Sequence, residues 1–256
     1  MNVHRPYILI SNDDGVTAGG IRFLIDTLQS VADLFVMAPD SPRSGGSCAI
    51  TPTVPLHYRV LEQRPGLTVC SCSGTPVDCV KMALNSSLLE RRPDLVVGGI
   101  NHGDNSSVNS HYSGTMGVVS EATLQGYPAV AFSLCDHSAR ADFSPLRDYV
   151  VDFVFKTIGL GLPPFTCLNV NFPKCEKFAG IRVCRMAKSR WVKEIAERRH
   201  PGTGEPYCWL VGEAQELEPE AEDTDRWALA HGYVAVTPTT LDNTAYDLLE
   251  VLRDVM

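Results

Sequence analysis

Short, uninterrupted apolar runs alternate with stretches of helical periodicity over roughly the first 135 residues. Residues 7–11 (YILIS) are a continuous apolar run, as in a strand covered on both faces, 34–38 (LFVMA) read as a second buried strand, and 94–99 (DLVVGG) and 128–134 (PAVAFSL) as two more strands. Residues 68–73 (TVCSCS) are a further strand. The segments between them carry apolar residues at helical spacing. Residues 21–31 (IRFLIDTLQSV) form one such helix. In "GTPVDCVKMALNSSLLE", Thr75 can cap a helix, Pro76 suits its first position and Asp78 stands three residues after the cap. That periodicity runs to about Leu89. "TMGVVSEATLQG" reads as a helix ended by Gly126. Residues 146–157 add a helix, and 167–172 (CLNVNF) a strand. This alternation predicts an α/β protein with a doubly wound, mostly parallel sheet.

Beyond Pro173 the pattern becomes shorter and more strand-like, with "YCWLVG" and "GYVAVTP", and "TAYDLLEVLRDV" closes the chain as a helix. Residues 182–199 hold seven Arg or Lys, and residues 213–225 hold seven acids. The two segments either pair or form two solvated faces, and the solvated reading is the simpler. The expected division is a catalytic core over 1–173 and a smaller β-rich extension over 174–256 that serves oligomerisation.

Composition narrows the partners. The chain has 256 residues and a formal net charge of -8. Such an acidic surface is unsuited to binding a nucleic-acid polymer, which needs clustered positive charge. It leaves room for a small phosphorylated ligand held by local charges and a metal. No run is long and apolar enough to span a bilayer. "MNVHRPYILIS" has no apolar core followed by a cleavage site, so no secretory leader is expected. The nine cysteines are an odd number without metal-type spacing, and predict free thiols in a reducing cytoplasm. Cys70 and Cys72 read as residues on alternate faces of a strand rather than a redox motif.

The residues that break the apolar runs then stand out. In an open parallel sheet, ligands bind beyond the carboxyl ends of the strands. The first strand ends in Asn12-Asp13-Asp14-Gly15, the second in "APDSPRSGGS" (38–47), and the strand at 94–99 in "GINHGDN" (99–105). Two adjacent carboxylates repel each other and lose solvation on burial, so a cation at that rim explains them. The remaining donors are hydroxyls of Ser41, Ser44 or Ser47 and the amide oxygen of Asn101 or Asn105. Oxygen-only ligation suits Mg²⁺, Mn²⁺ or Ca²⁺. His102, with no His or Cys partner nearby, reads as a surface or supporting residue.

"HYSGTMGVVSEA" (111–122) places Ser113, Gly114 and Thr115 at a helix start. Backbone N–H groups and the helix dipole favour an anion there. The chain lacks a nucleophile elbow, a P-loop and a dinucleotide-binding glycine motif. A receiver-like regulatory module also carries paired acids after its first strand. It needs an acceptor Asp after the third, where this chain has Ser73-Gly74-Thr75. A non-catalytic nucleotide or metal binder on the same fold is the other alternative.

"ILISNDDGVTAGGI", "VMAPDSPRSGGSCAIT", "SGTPVDCVKMAL", "LVVGGINHGDN" and "HYSGTMGVVSEA" occur in this order, followed by "LNVNFP" and "TDRWALAHGYVAVTP". Together they strongly resemble the SurE family, the survival-protein-E nucleotidases, over most of the chain. The resemblance implies a Rossmann-like core and a metal-dependent phosphatase acting on nucleoside 5′-monophosphates and often 3′-monophosphates. It implies homodimers or homotetramers with exchanged C-terminal segments. Asp13 and Asp14 match the family's catalytic acids, and with Ser44 and Asn101 its metal ligands. Asn105 and the Ser113-Gly114-Thr115 turn match its phosphate site. Two departures, Gly98 in place of a common Ser and Cys48-Ala49 before the Ile-Thr pair, bear on substrate preference more than on catalysis.

Overall fold

The computed structural model describes residues 5–138 and 140–256, so the first four residues of the stretch read for a secretory leader lie outside the described residues. The apolar runs become the strands of one sheet. β1 (Tyr7–Ser11), α1 (Gly19–Leu28), β2 (Asp33–Pro39), β3 (Tyr58–Arg64), β4 (Leu67–Cys72), α2 (Pro76–Asn85) and β5 (Leu95–His102) form its first half. α3 (Gly114–Leu124), β6 (Ala129–Leu134), α4 (Arg147–Leu160) and β7 (Thr166–Phe172) continue it. After them come β8 (Gly180–Val183), β9 (Ser189–Val192), β10 (Ile195–Arg199), β11 (Pro206–Leu210), β12 (Glu213–Glu216), α5 (Asp225–Ala230), β13 (Tyr233–Thr240) and α6 (Tyr246–Val255).

The main sheet has nine strands in the order β3-β4-β2-β1-β5-β6-β7-β13-β8. The six strands from β4 to β7 run parallel, while β3 and β13 pair antiparallel to β4 and β7. Side chains alternate between two apolar layers, as a pleated strand requires. Ile8 and Ile10 of β1 join Leu34 and Val36 of β2 in a layer with Leu24 and Leu28 of α1. Leu9, Phe35 and Met37 enter the opposite layer with Val80 of α2 and Val118 and Val119 of α3. Helices on both faces make the fold doubly wound. The chain winds outward from β1 through β2 to β4 and returns to β5 on β1's other side. β1 and β5 therefore flank the switch point, with Ser11 opposite Gly98.

Four local expectations differ from the structure. α2 has its predicted capping box at Thr75 and Asp78, but it stops at Asn85 rather than near Leu89. Asn85, Ser86 and Ser87 offer side-chain alternatives to helical hydrogen bonds, and Asn85 Nδ2 donates to Lys81 O at 2.9 Å. β3 has no counterpart in the sequence reading, because this edge strand is exposed along its length and shows no buried alternation. Cys70 and Cys72 face the same layer rather than alternate ones, since positions two apart in a strand share a face. All nine cysteines are free. The basic and acidic segments pair within the chain instead of standing apart. β9 and β12 are antiparallel partners, Arg185 bridges Glu218 and Asp223, and Lys193 reaches Glu213 at 2.8 Å. β10 pairs with β11 in a second small ribbon, while β8 and β13 extend the main sheet.

Candidate active site

The carboxyl ends of β1 and β5 open into a cavity of about 540 Å³ whose lining includes Asp13, Ser44, Asn101, His102, Asn105 and Ser113. The turn after β1 is shaped by Asn12, which accepts from Gly15 N at 3.2 Å and donates to Gly15 O at 3.0 Å. Asn12 thus supports the backbone of the turn, and the two acids stand on it.

Asp13 is buried, with 4% of its surface exposed. Thr115 Oγ1 donates to its Oδ1 at 2.5 Å, and the Gly114 N–H also hydrogen-bonds to it. Burial dominates nonetheless. It pushes the Asp13 carboxyl up to about 6, with the Asp14 charge adding to the rise and the Thr115 bond opposing it. Asp14 is half-buried, and burial raises its pKa too; the His102 N–H, donating to Oδ2 at 3.2 Å, works the other way. Two acids held out of water side by side are an electrostatic cost that a divalent cation removes.

The other donors sort by what their atoms already do. Asn101 spends its amide N–H on Gly103 O at 2.8 Å, which leaves its amide oxygen as the available group. Of the three candidate serines, Ser44 lines the cavity. Ser41 donates to Asp40 at 2.9 Å and Ser47 to His111 O at 2.7 Å. Among the described residues, no three His, Cys, Asp or Glu side chains cluster as a metal site. The set here is two carboxylates, a hydroxyl and an amide, the hard oxygen chemistry of Mg²⁺, Mn²⁺ or Ca²⁺. His102 packs its ring edge-on against Phe143 at 5.0 Å while also lining the cavity.

The helix start expected at the phosphate is divided in function. Ser113 caps α3, its Oγ accepting from Met116 N at 3.0 Å, and it lines the cavity. Thr115 is fully buried and donates its hydroxyl hydrogen to Asp13. Gly114 permits that approach: a Cβ there would lie 2.6 Å from Asp13 Cβ. Asn105 is fixed by a buried network, its N–H donating to Asn171 Oδ1 and its Nδ2 to Ser133 Oγ, both at 2.8 Å. Asn169 Nδ2 donates to Asn105 O at 2.8 Å.

A family model described as "Survival protein SurE" matches residues 8–193. The chain belongs to the SurE family. A relative in Bacteroides fragilis named 5′-nucleotidase SurE is 52% identical over 255 residues, covering 99% of this chain and 98% of its own. Another of that name in Flavobacterium psychrophilum is 44% identical, over 98% of this chain and 97% of its own. A crystal structure of a SurE protein from Aquifex aeolicus superposes with a TM-score of 0.83 at 35% identity, covering 98% of this chain and 99% of that one.

Several residues of this SurE site escape a reading of the sequence alone. Ser133, Asn169 and Asn171 hold Asn105 from β6 and β7. Two asparagines at alternate positions of an otherwise apolar strand were the available signal. Asn109, Tyr112, His137, Trp191 and Glu194 also line the cavity. Trp191 and Glu194 arrive from the C-terminal ribbons, and nothing local in the chain announces that.

Proposed function

We propose that this chain is a metal-dependent phosphomonoesterase that hydrolyses nucleoside 5′-monophosphates to nucleoside and phosphate. The observation that carries the reading is one cavity at the β1/β5 switch point, where the buried Asp13, with Asp14 next to it in the chain, meets amide and hydroxyl groups from other loops. The relatives' name, 5′-nucleotidase, agrees with it. Asp13, Asp14, Ser44 and Asn101 are the residues that would hold one divalent cation. When bound, such an ion supplies positive charge to phosphate oxygens and makes water more acidic.

The chain's own groups supply the rest. Asn105, locked by its network, and Ser113, whose Oγ is anchored on Met116 N, orient the phosphate without reorganisation. Preorganised donors of this kind stabilise charge developing on its oxygens. Attack by water forms a new P–O bond and breaks the ester P–O bond, and the leaving nucleoside oxygen takes up a proton. Asp13 or Asp14 is placed to accept the water's proton. Thr115 acts through Asp13. Thr115→Val keeps the shape and removes the hydrogen bond that lowers the Asp13 pKa, so the pKa of that carboxyl rises further. Binding of Mn²⁺ at neutral pH, read by titration calorimetry, is expected to weaken by about tenfold, the scale of one charge-assisted hydrogen bond.

The working form is proposed to be a homo-oligomer in a reducing compartment. α6 buries none of its residues and exposes Leu248, Val251, Leu252 and Val255, which fits a segment covered by a second copy. Nine free thiols fit such a compartment. No helix among the described residues is long and apolar enough to cross a membrane. The functional test is phosphate release from a panel of 5′- and 3′-nucleoside monophosphates with Mg²⁺, Mn²⁺ or EDTA. Release from 5′-monophosphates that EDTA abolishes is the expected result. A folded protein that releases none with either metal overturns the proposal.

A further inference from the structure

The lining of the cavity is chemically mixed. Asp13, Asn101 and Asn105 line it together with Trp191, Tyr112 and Glu194. A nucleoside monophosphate combines the two chemistries such a lining offers to meet, an anionic phosphate and a flat, largely apolar base. We propose that Trp191 is the platform on which the substrate's base stacks, and that Glu194 at its side selects guanine. The inference rests on the phosphomonoesterase reading and specifies the substrate of that site.

Trp191 is held before any ligand arrives. Its indole N–H donates to Asn109 Oδ1 at 3.1 Å. Gly212 (φ +141°) lies so close to the ring that a Cβ there would stand 3.0 Å from Trp191 Cε3. A fixed ring gives up little freedom on binding, so more of the stacking energy appears as affinity. The platform is also tied to the loop that carries Asn105. Ser189, two residues before it, meets the Ser107 hydroxyl at 2.5 Å, and Ser107 Oγ donates to Ala187 O at 2.8 Å. Ser107 follows Asn105 by two positions, so one short loop ties the platform to the amide that faces the phosphate.

Glu194 shares the platform's neighbour. Its Cγ would stand 3.6 Å from the same Gly212 Cβ, which puts the carboxylate side chain beside the indole. An ionised carboxylate only accepts hydrogen bonds. Guanine presents two adjacent donors on its pairing edge, the ring N1–H and the exocyclic amine, and both can meet the two carboxylate oxygens. Adenine sets an acceptor beside its amine. Uracil flanks its single N–H with two carbonyl oxygens that a carboxylate repels.

The test compares kcat/KM for GMP, UMP and ribose 5-phosphate, which lacks a base. In the wild type GMP is expected to be the best of the three. Trp191→Leu is expected to lower the GMP to ribose 5-phosphate ratio by roughly ten- to hundredfold, mainly through KM, the range that loss of one aromatic stack produces. Trp191→Phe, which retains a ring, keeps most of it. Glu194→Gln is expected to lower the preference for GMP over UMP by about tenfold. An unchanged GMP to ribose 5-phosphate ratio in Trp191→Leu overturns the platform. If that variant does not fold, Glu194→Gln decides, and an unchanged GMP to UMP preference overturns the proposal. Equal wild-type turnover of ribose 5-phosphate and GMP also overturns it while leaving the phosphomonoesterase reading intact. No turnover of any ester by the metal-supplied wild type overturns that reading itself, and the inference with it.

Discussion

Asp13→Asn is expected to lower kcat/KM for phosphate release by about 10³-fold or more, while the metal-free protein becomes no less stable than the wild type. The first half follows from removing a preorganised charge from the centre of a phosphoryl-transfer site, where single groups are worth this much. The second half follows from the sign of the Asp13 shift. Its carboxyl is raised from 3.8 to about 6, mainly by burial. The native state therefore holds this proton more tightly than the unfolded chain does. For this group, metal-free stability is greatest below about pH 4 and is lost as the pH rises through 6, a penalty of roughly 3 kcal/mol at neutral pH. Asparagine carries no charge and escapes the penalty. A bound divalent ion offsets it too, so the rise in Tm on adding Mn²⁺ is expected to be larger at pH 7.5 than at pH 5. Thermal melts with EDTA or Mn²⁺ at the two pH values, beside a metal-saturated assay, check all three statements. Near-wild-type turnover of Asp13→Asn would remove this residue from the site. Asp14→Asn is expected to lower turnover in the same direction, and the same outcome would sink its assignment.

The strands flanking the switch point were legible because burial on both faces leaves no polar interruption. Ile8, Leu9 and Ile10 alternate between two apolar layers, so all three must be apolar. Where a strand is exposed along its length, as in β3, β11 and β12, no buried face constrains its side chains and their pattern carries little information. Asp13 and Asp14 were legible for the opposite reason. They violate the apolar pattern at a place where the topology predicts a ligand, and such conflicts mark function. Which serine accompanies them was not legible from the residues. That choice depends on which hydroxyls the fold occupies: Ser41 is bonded to Asp40 and Ser47 to His111, while Ser44 lines the cavity. Thr115 was expected at the phosphate, and in the structure its hydroxyl donates to Asp13. Helix-start geometry serves an anion, and in this fold the nearest anion is the protein's own Asp13.

Asp225 was read as one of seven acids in a solvated run, and the structure separates it from that run. Asp225→Asn is expected to cost about 2–4 kcal/mol, lower Tm by roughly 5–15 °C, and reduce kcat/KM by about tenfold. The carboxylate is fully buried. Its Oδ2 accepts from Ser107 N at 2.8 Å, and its Oδ1 accepts from Ala187 N at 2.9 Å and Arg226 N at 2.8 Å. Burial raises its pKa, and these three donors oppose the rise. An asparagine offers one oxygen and one NH₂ to the same three donors. Either orientation sets N–H against N–H and strands at least one buried donor. Ser107 has a φ of 52°, a conformation a serine rarely keeps without such support. Its release loosens the loop that begins at Asn105 and ends in Asn109, so Asn105 and, through Asn109, Trp191 lose their register. Asp223→Asn is the comparison, two residues away in the same acidic segment. Its side chain is 67% exposed and pairs with Arg185 at 2.8 Å on the surface. That change is expected to cost no more than about 1 kcal/mol and to leave activity within twofold. Equal effects of the two substitutions, in melts and in the phosphate assay, would show that this acidic run is uniform and that Asp225 does not hold the loop.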